Sequence, residues 1–157
     1  MKPPIGQRLR RRIERMLKKL ELRYMVDEDG DFQLVLSGEE MPIQLRVLIL
    51  REGIMREVIA FVVRFEGKVP PLSEEEALQI VNQWNALRRW PRIFWRNGHF
   101  YGDFHIDAES DIPQAFLELN FKHFLSASLQ FAFQLTGQEE ELLKRLRPRF
   151  FGGPNLN

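Results

Sequence analysis

"RIFWRNGHFYGDFHID", residues 92–107, is the stretch that decides the fold. Asn-Gly between two alternating apolar runs marks a two-residue type I′ hairpin, because both loop positions need positive φ. With Asn97-Gly98 as the loop, Arg96 faces His99, Trp95 faces Phe100, Phe94 faces Tyr101 and Arg92 faces Asp103. Alternation then puts Ile93, Trp95, Phe100, Phe104 and Ile106 on one face. Phe94, Tyr101, Asp103, His105 and Asp107 share the other.

Just upstream, "SEEEALQIVNQWNALRR" (73–89) reads as a helix. Ser73 and Glu76 match a capping box. Three glutamates at its start and two arginines at its end suit the macrodipole. Ala77, Ile80, Val81, Trp84 and Leu87 form its apolar stripe, and Pro91 ends it. Further upstream lie three strand-like runs. "DFQLVLS" (31–37) places Phe32, Leu34 and Leu36 on one face, and "PIQLRVLILRE" (42–52) does the same with Ile43, Leu45, Val47 and Ile49. "EVIAFVVRFE" (57–66) is apolar on both faces, so it belongs at the centre of a sheet.

Residues 5–25 read as an amphipathic helix whose stripe is Ile5, Leu9, Ile13, Met16, Leu17, Leu20 and Tyr24. "DEDGD" (27–31) breaks it at a turn; its spacing fails the calcium-loop pattern, which needs Gly at the sixth position and Glu at the twelfth. Downstream, residues 113–136 form the longest helix, with Pro113 in its first turn. Its one polar line is Gln114, Glu118, Lys122, Ser126, Gln130 and Gln134, so it is expected to be buried on more than one side. The order is α-β-β-β-α-β-β-α: an α+β domain over residues 1–136, with a five-stranded antiparallel sheet and three helices. Residues 137–157 follow as a short charged helix, "QEEELLKRL", and a loosely held tail.

Composition narrows the function classes. The 157 residues are 44% apolar and 29% charged, ordinary for one globular domain. There is no cysteine, which removes disulfides and thiol chemistry and fits a cytoplasmic setting. The first residues lack the apolar run of a signal peptide. The longest apolar run, "VIAFVV" (58–63), is far short of a membrane span, so no membrane partner is expected. Net charge is +1, but residues 2–23 hold nine basic and two acidic side chains.

Four candidate sites follow. Trp90, Arg92, Phe94 and Tyr101 are aromatics and an arginine on the more polar side of the hairpin or beside Pro91, the residue types enriched where proteins meet. Phe116, Phe121, Phe124, Phe131 and Phe133 on the long helix are expected to form a homodimer face. Arg8, Arg11, Arg12, Arg15 and Lys19 could instead meet nucleic-acid phosphates. Asp103, His105 and Asp107 alternate on one strand face as divalent-metal ligands would, but Asp103 also answers Arg92 across the hairpin, and no metal or cofactor is assigned. Ser126, Ser128 and His123 share one helix and make no triad with an acid and an oxyanion hole, so no catalytic residue is assigned.

The pattern "WN…R.PR……NG.FY.DF.ID" from Trp84 to Asp107, between a capped helix and a long Phe/Leu helix, resembles the YbjN-like family of bacterial sensory transduction regulators. The resemblance runs over residues 8–136. "SDIP" (110–113) stands where family members often carry a Gly-Gly pair. The resemblance implies a fold similar to type III secretion chaperones, usually dimeric. It implies a protein-binding, chaperone-like or regulatory role with an unidentified protein client, and no catalytic residues.

Overall fold

The computed structural model describes residues 1–39, 41, 43–67 and 71–137. Three helices and six strands follow one another as α1 (Ile5–Lys19), β1 (Met25–Val26), β2 (Phe32–Leu36), β3 (Ile43–Glu52), β4 (Val58–Gly67), α2 (Glu74–Leu87), β5 (Arg92–Arg96), β6 (His99–Asp107) and α3 (Gln114–Leu135). The fold is α+β, with one antiparallel sheet in the order β1-β2-β3-β4-β6-β5. The sheet has six strands where five were expected. The extra one is β1, whose two residues pair with Gln33 and Phe32. A two-residue strand leaves no periodicity in a sequence.

The hairpin forms in the expected register, with Phe94 opposite Tyr101 and Arg92 opposite Asp103. Asn97 (φ 50) and Gly98 (φ 76) supply the two positive φ angles. β4 lies inside the sheet, between β3 and β6. Gly102, paired with both Val63 and Ile93, permits a close approach: a Cβ there would lie 3.0 Å from the side chains of both.

One face of the sheet carries Phe32, Leu34, Leu45, Val47, Ile49, Phe61, Val63, Phe65 and Phe100, all buried. The helices cover this face. Phe121 and Phe124 of α3 meet Phe61 at ring separations of 5.0 and 5.5 Å. Phe131 sits among Phe65, Trp84 and Phe100 at 4.9 to 5.3 Å. Leu9, Ile13, Met16 and Leu17 of α1 join the same cluster.

α1 stops at Lys19, short of the expected residue 25. Leu22 N–H bonds Leu17 O and Glu21 N–H bonds Lys18 O, a paired closure with Glu21 in the left-handed region at φ 55. Tyr24 therefore leaves the helix, packs edge-on against Phe32 and donates to Glu14 at 2.9 Å. The Ser73–Glu76 capping box closes α2 as expected. The expected arginines of its last turn lie beyond it, because the helix ends at Leu87 with Arg88 as the cap. Only Ala77 and Trp84 of its apolar stripe are buried, and Leu87 is 75% exposed, because α2 sits against the margin of the sheet. The polar line of α3 is not a solvent line at its start. Gln114 bonds Arg12, and Glu118 accepts from Lys19 at 2.8 Å, so these residues seam α3 to α1. The charged helix and tail expected after residue 137 lie outside the described residues.

Candidate protein-binding face of the sheet

The side chains of β2 to β6 that point away from the helices form an open face. Across the register one row is Val35, Arg46, Arg64, Tyr101 and Phe94; the next is Gln33, Leu48, Val62, Asp103 and Arg92. Leu50, Ala60 and His105 make a third row, and Glu52, Val58 and Asp107 a fourth. The apolar members of these rows belong to neither the buried core cluster nor its half-buried surround. Among the described residues no helix packs on them. The centre of the face is thus aliphatic, formed by the half-buried Leu48, Leu50, Val58 and Val62 around the fully buried Ala60.

Charge surrounds that centre in fixed pairs. Arg92 grips Asp103 through two hydrogen bonds, Nε–Oδ1 at 2.9 Å and Nη2–Oδ2 at 2.6 Å. Hydrogen bonding to Asp103, and then its negative charge, hold the Arg92 pKa above its ordinary value. Arg46 grips Glu66 at 3.1 and 3.4 Å, and Arg64 approaches the same carboxylate at 3.2 Å. His105 Nε2 lies 3.5 Å from Glu52. The ring planes of Phe94 and Tyr101 stack at 5.4 Å, with the Arg92 guanidinium over Phe94 at 5.2 Å. The end of the face near the hairpin tip carries Arg46, Arg64 and Arg96 with Glu66; the other end carries Glu52 and Asp107 with His105.

Of the four residues expected to bind protein, Arg92, Phe94 and Tyr101 come together here. Trp90 does not. Its ring lies 6.1 Å from Phe104, which belongs to the helix-covered face, and it is 43% exposed there. The five phenylalanines expected at a dimer face are also divided. Phe121, Phe124 and Phe131 are at most 1% exposed, held within the chain's own core, and cannot reach a partner. Phe133 is half-buried, and Phe116 remains 46% exposed. Aromatic bulk on a helix signals burial without saying which molecule supplies the other side.

The basic helix is likewise divided. Arg12 is bound to Asp111, Gln114 and the Ile112 carbonyl, and Lys19 to Glu118. Arg8, Arg11 and Arg15 have no ion pair among the described residues. The alternating metal trio is committed elsewhere: Asp103 to Arg92, His105 toward Glu52, and Asp107 Oδ1 to the Glu109 N–H at 3.0 Å. Ser128 is buried and donates to Phe124 O at 2.7 Å. "DEDGD" forms the expected turn, with Asp27 Oδ1 accepting the N–H groups of Asp29 and Asp31. Those bonds, the one from Asp31 first, draw the Asp27 pKa down.

Asn85, part of the Trp-Asn pair at the end of α2, ties that helix to β5. Its side-chain amide imitates a peptide group: Nδ2 donates to Ile93 O at 2.9 Å and Oδ1 accepts Ile93 N–H at 3.1 Å. Trp84 Nε1 donates to Pro91 O at 3.0 Å. The Asn85 bonds satisfy the outward N–H and C=O of Ile93 on β5, the end strand of the sheet, and so hinder strand addition at that residue. The Trp-Asn…Pro-Arg spacing is therefore architectural.

A family model described as "YbjN: Putative bacterial sensory transduction regulator" matches residues 10–143. No curated protein matches the chain. The family match spans most of the sequence, and the chain belongs to this family.

Proposed function

We propose that this YbjN-family chain is a non-enzymatic regulatory module that works by protein contact through the open face of its sheet. One observation carries the reading: the three described helices lie on one side, leaving an aliphatic centre ringed by fixed ion pairs on the other. Apolar burial would supply the affinity, and the paired arginines the register. The face also suits a second copy of the chain. A two-fold axis through the aliphatic centre would set the Arg46–Arg64 end of one protomer against the Glu52–Asp107 end of its partner. In this reading the protein is a cytoplasmic homodimer that presents or shields a protein client, as a chaperone does.

Light scattering of the full chain and of Val62→Lys, at tens of micromolar, tests it. The wild type is expected at twice the protomer mass and the variant at one protomer mass. A wild-type monomer removes the homodimer. A Val62→Lys dimer removes this face as the interface. Client capture from native extract is expected to fall in the same variant, and capture unchanged by it removes the face as the client's docking surface.

A further inference from the structure

Arg8, Arg11, Arg12 and Arg15 stand at i, i+3, i+4 and i+7 on α1, so they share one side of that helix. Together they line a crevice of about 470 Å³ whose far wall is the connection from β6 to α3, including Glu109, Asp111 and Ile112. Arg12 is the fixed member, held by Asp111, Gln114 and the Ile112 carbonyl. The Nε of Arg8 is buried and has no hydrogen-bond partner among the described residues. Arg11 and Arg15 are exposed and bond to no carboxylate among the described residues.

This arrangement works against the helix. Like charges three and four residues apart repel. The first turn of α1 holds no acidic residue, although a helix N-terminus favours negative charge. A buried guanidinium nitrogen without an acceptor is also costly. A multivalent anion in the crevice would relieve the first two. Guanidinium forks match phosphate oxygens in pairs, and the volume falls within the roughly 300–1,000 Å³ of small-molecule pockets. An extended nucleic-acid backbone fits less well, because Arg12 and Lys19 are already bound to α3 and so break the basic line along the helix.

We propose that this crevice binds a small polyphosphorylated anion, a di- or triphosphate group, gripped by Arg8, Arg11 and Arg15. The site lies on the helix side of the molecule and does not rest on the protein-contact reading of the open face.

Calorimetric titration of the full chain with inorganic pyrophosphate at low salt tests it. One-to-one binding is expected, weakened about tenfold or more in Arg11→Gln/Arg15→Gln, whose exposed positions leave the fold intact. Arg8→Lys, which keeps the charge and loses the fork, is expected to weaken binding as well. The remote pair Arg88→Gln/Arg89→Gln is expected to bind like wild type. No binding at millimolar pyrophosphate overturns the proposal, as does equal weakening in the remote pair. Tighter binding of a duplex oligonucleotide through the same arginines reassigns them to nucleic acid and overturns it too.

Discussion

The two faces of the sheet are built from alternate residues of the same strands, yet they obey different rules. Phe61 lies on the covered face, fully buried between Phe121 and Phe124. Val62, the next residue, lies on the open face between Leu48 and Asp103. The covered face is aliphatic and aromatic throughout, apart from Arg51 at its margin. There the guanidinium bonds the carbonyls of Gly6 and Gly30, and burial lowers its pKa. The open face mixes aliphatics with ion pairs. A one-residue step in strand register would exchange the two roles, so the register itself is under strong physical selection.

Substitutions at adjacent positions test that contrast most strongly. Phe61→Ala is expected to cost about 3–5 kcal/mol, and Val62→Ala about 1 kcal/mol, in chemical denaturation. Equal costs would mean that the open face is covered by the chain itself. A smaller effect concerns the charged rim. Arg92→Met leaves the nearly buried Asp103 carboxylate without its two charged hydrogen bonds. The cost is expected to be about 1 kcal/mol, limited by the solvent exposure of Arg92. Adding Asp103→Leu is expected to recover most of it, since an apolar pair leaves no orphaned charge. Failure to recover would mean the carboxylate has a further partner.

The smallest effect belongs to the helix seam on the covered side. The hydrogen bond from Lys19, and then its charge, lower the Glu118 pKa below the ordinary 4.5. A depressed carboxylate stabilises the folded state above its unfolded pKa, and that stability is lost as pH falls through the lower folded value. Thermal melts from neutrality down through that range should therefore show a slightly shallower acid loss in Glu118→Gln than in wild type. Because Lys19 is mostly exposed, solvent screens the pair, and the difference should be a small fraction of the Phe61 effect. An unchanged acid profile would place α1 and α3 together by packing alone.

Much of this was legible in the sequence, and the failures share a cause. The hairpin register could be read to the residue because Asn-Gly restricts the loop to one geometry. The capping box and the central position of β4 were readable for similar local reasons. The end of α1 was not, because Glu21 occupies a left-handed position that usually announces itself with glycine. Trp90 is close to Phe94 and Tyr101 in the chain, yet it precedes β5 and its ring meets Phe104 on the opposite side. The phenylalanines of α3 were assigned to a second copy, although the chain's own sheet accepts three of them.

What the sequence by itself determined is local: which segments become helix or strand, how the hairpin pairs, and which side chains alternate together. Short-range sterics and periodicity decide these, and both are written in neighbouring residues. Only the tertiary structure decided where the helices lie. Placing all three on one face of the sheet is a long-range packing choice. That choice hides three phenylalanines, binds Arg12 and Lys19 to α3, and leaves, among the described residues, a sheet face without a helix on it and an arginine crevice that no local pattern contains.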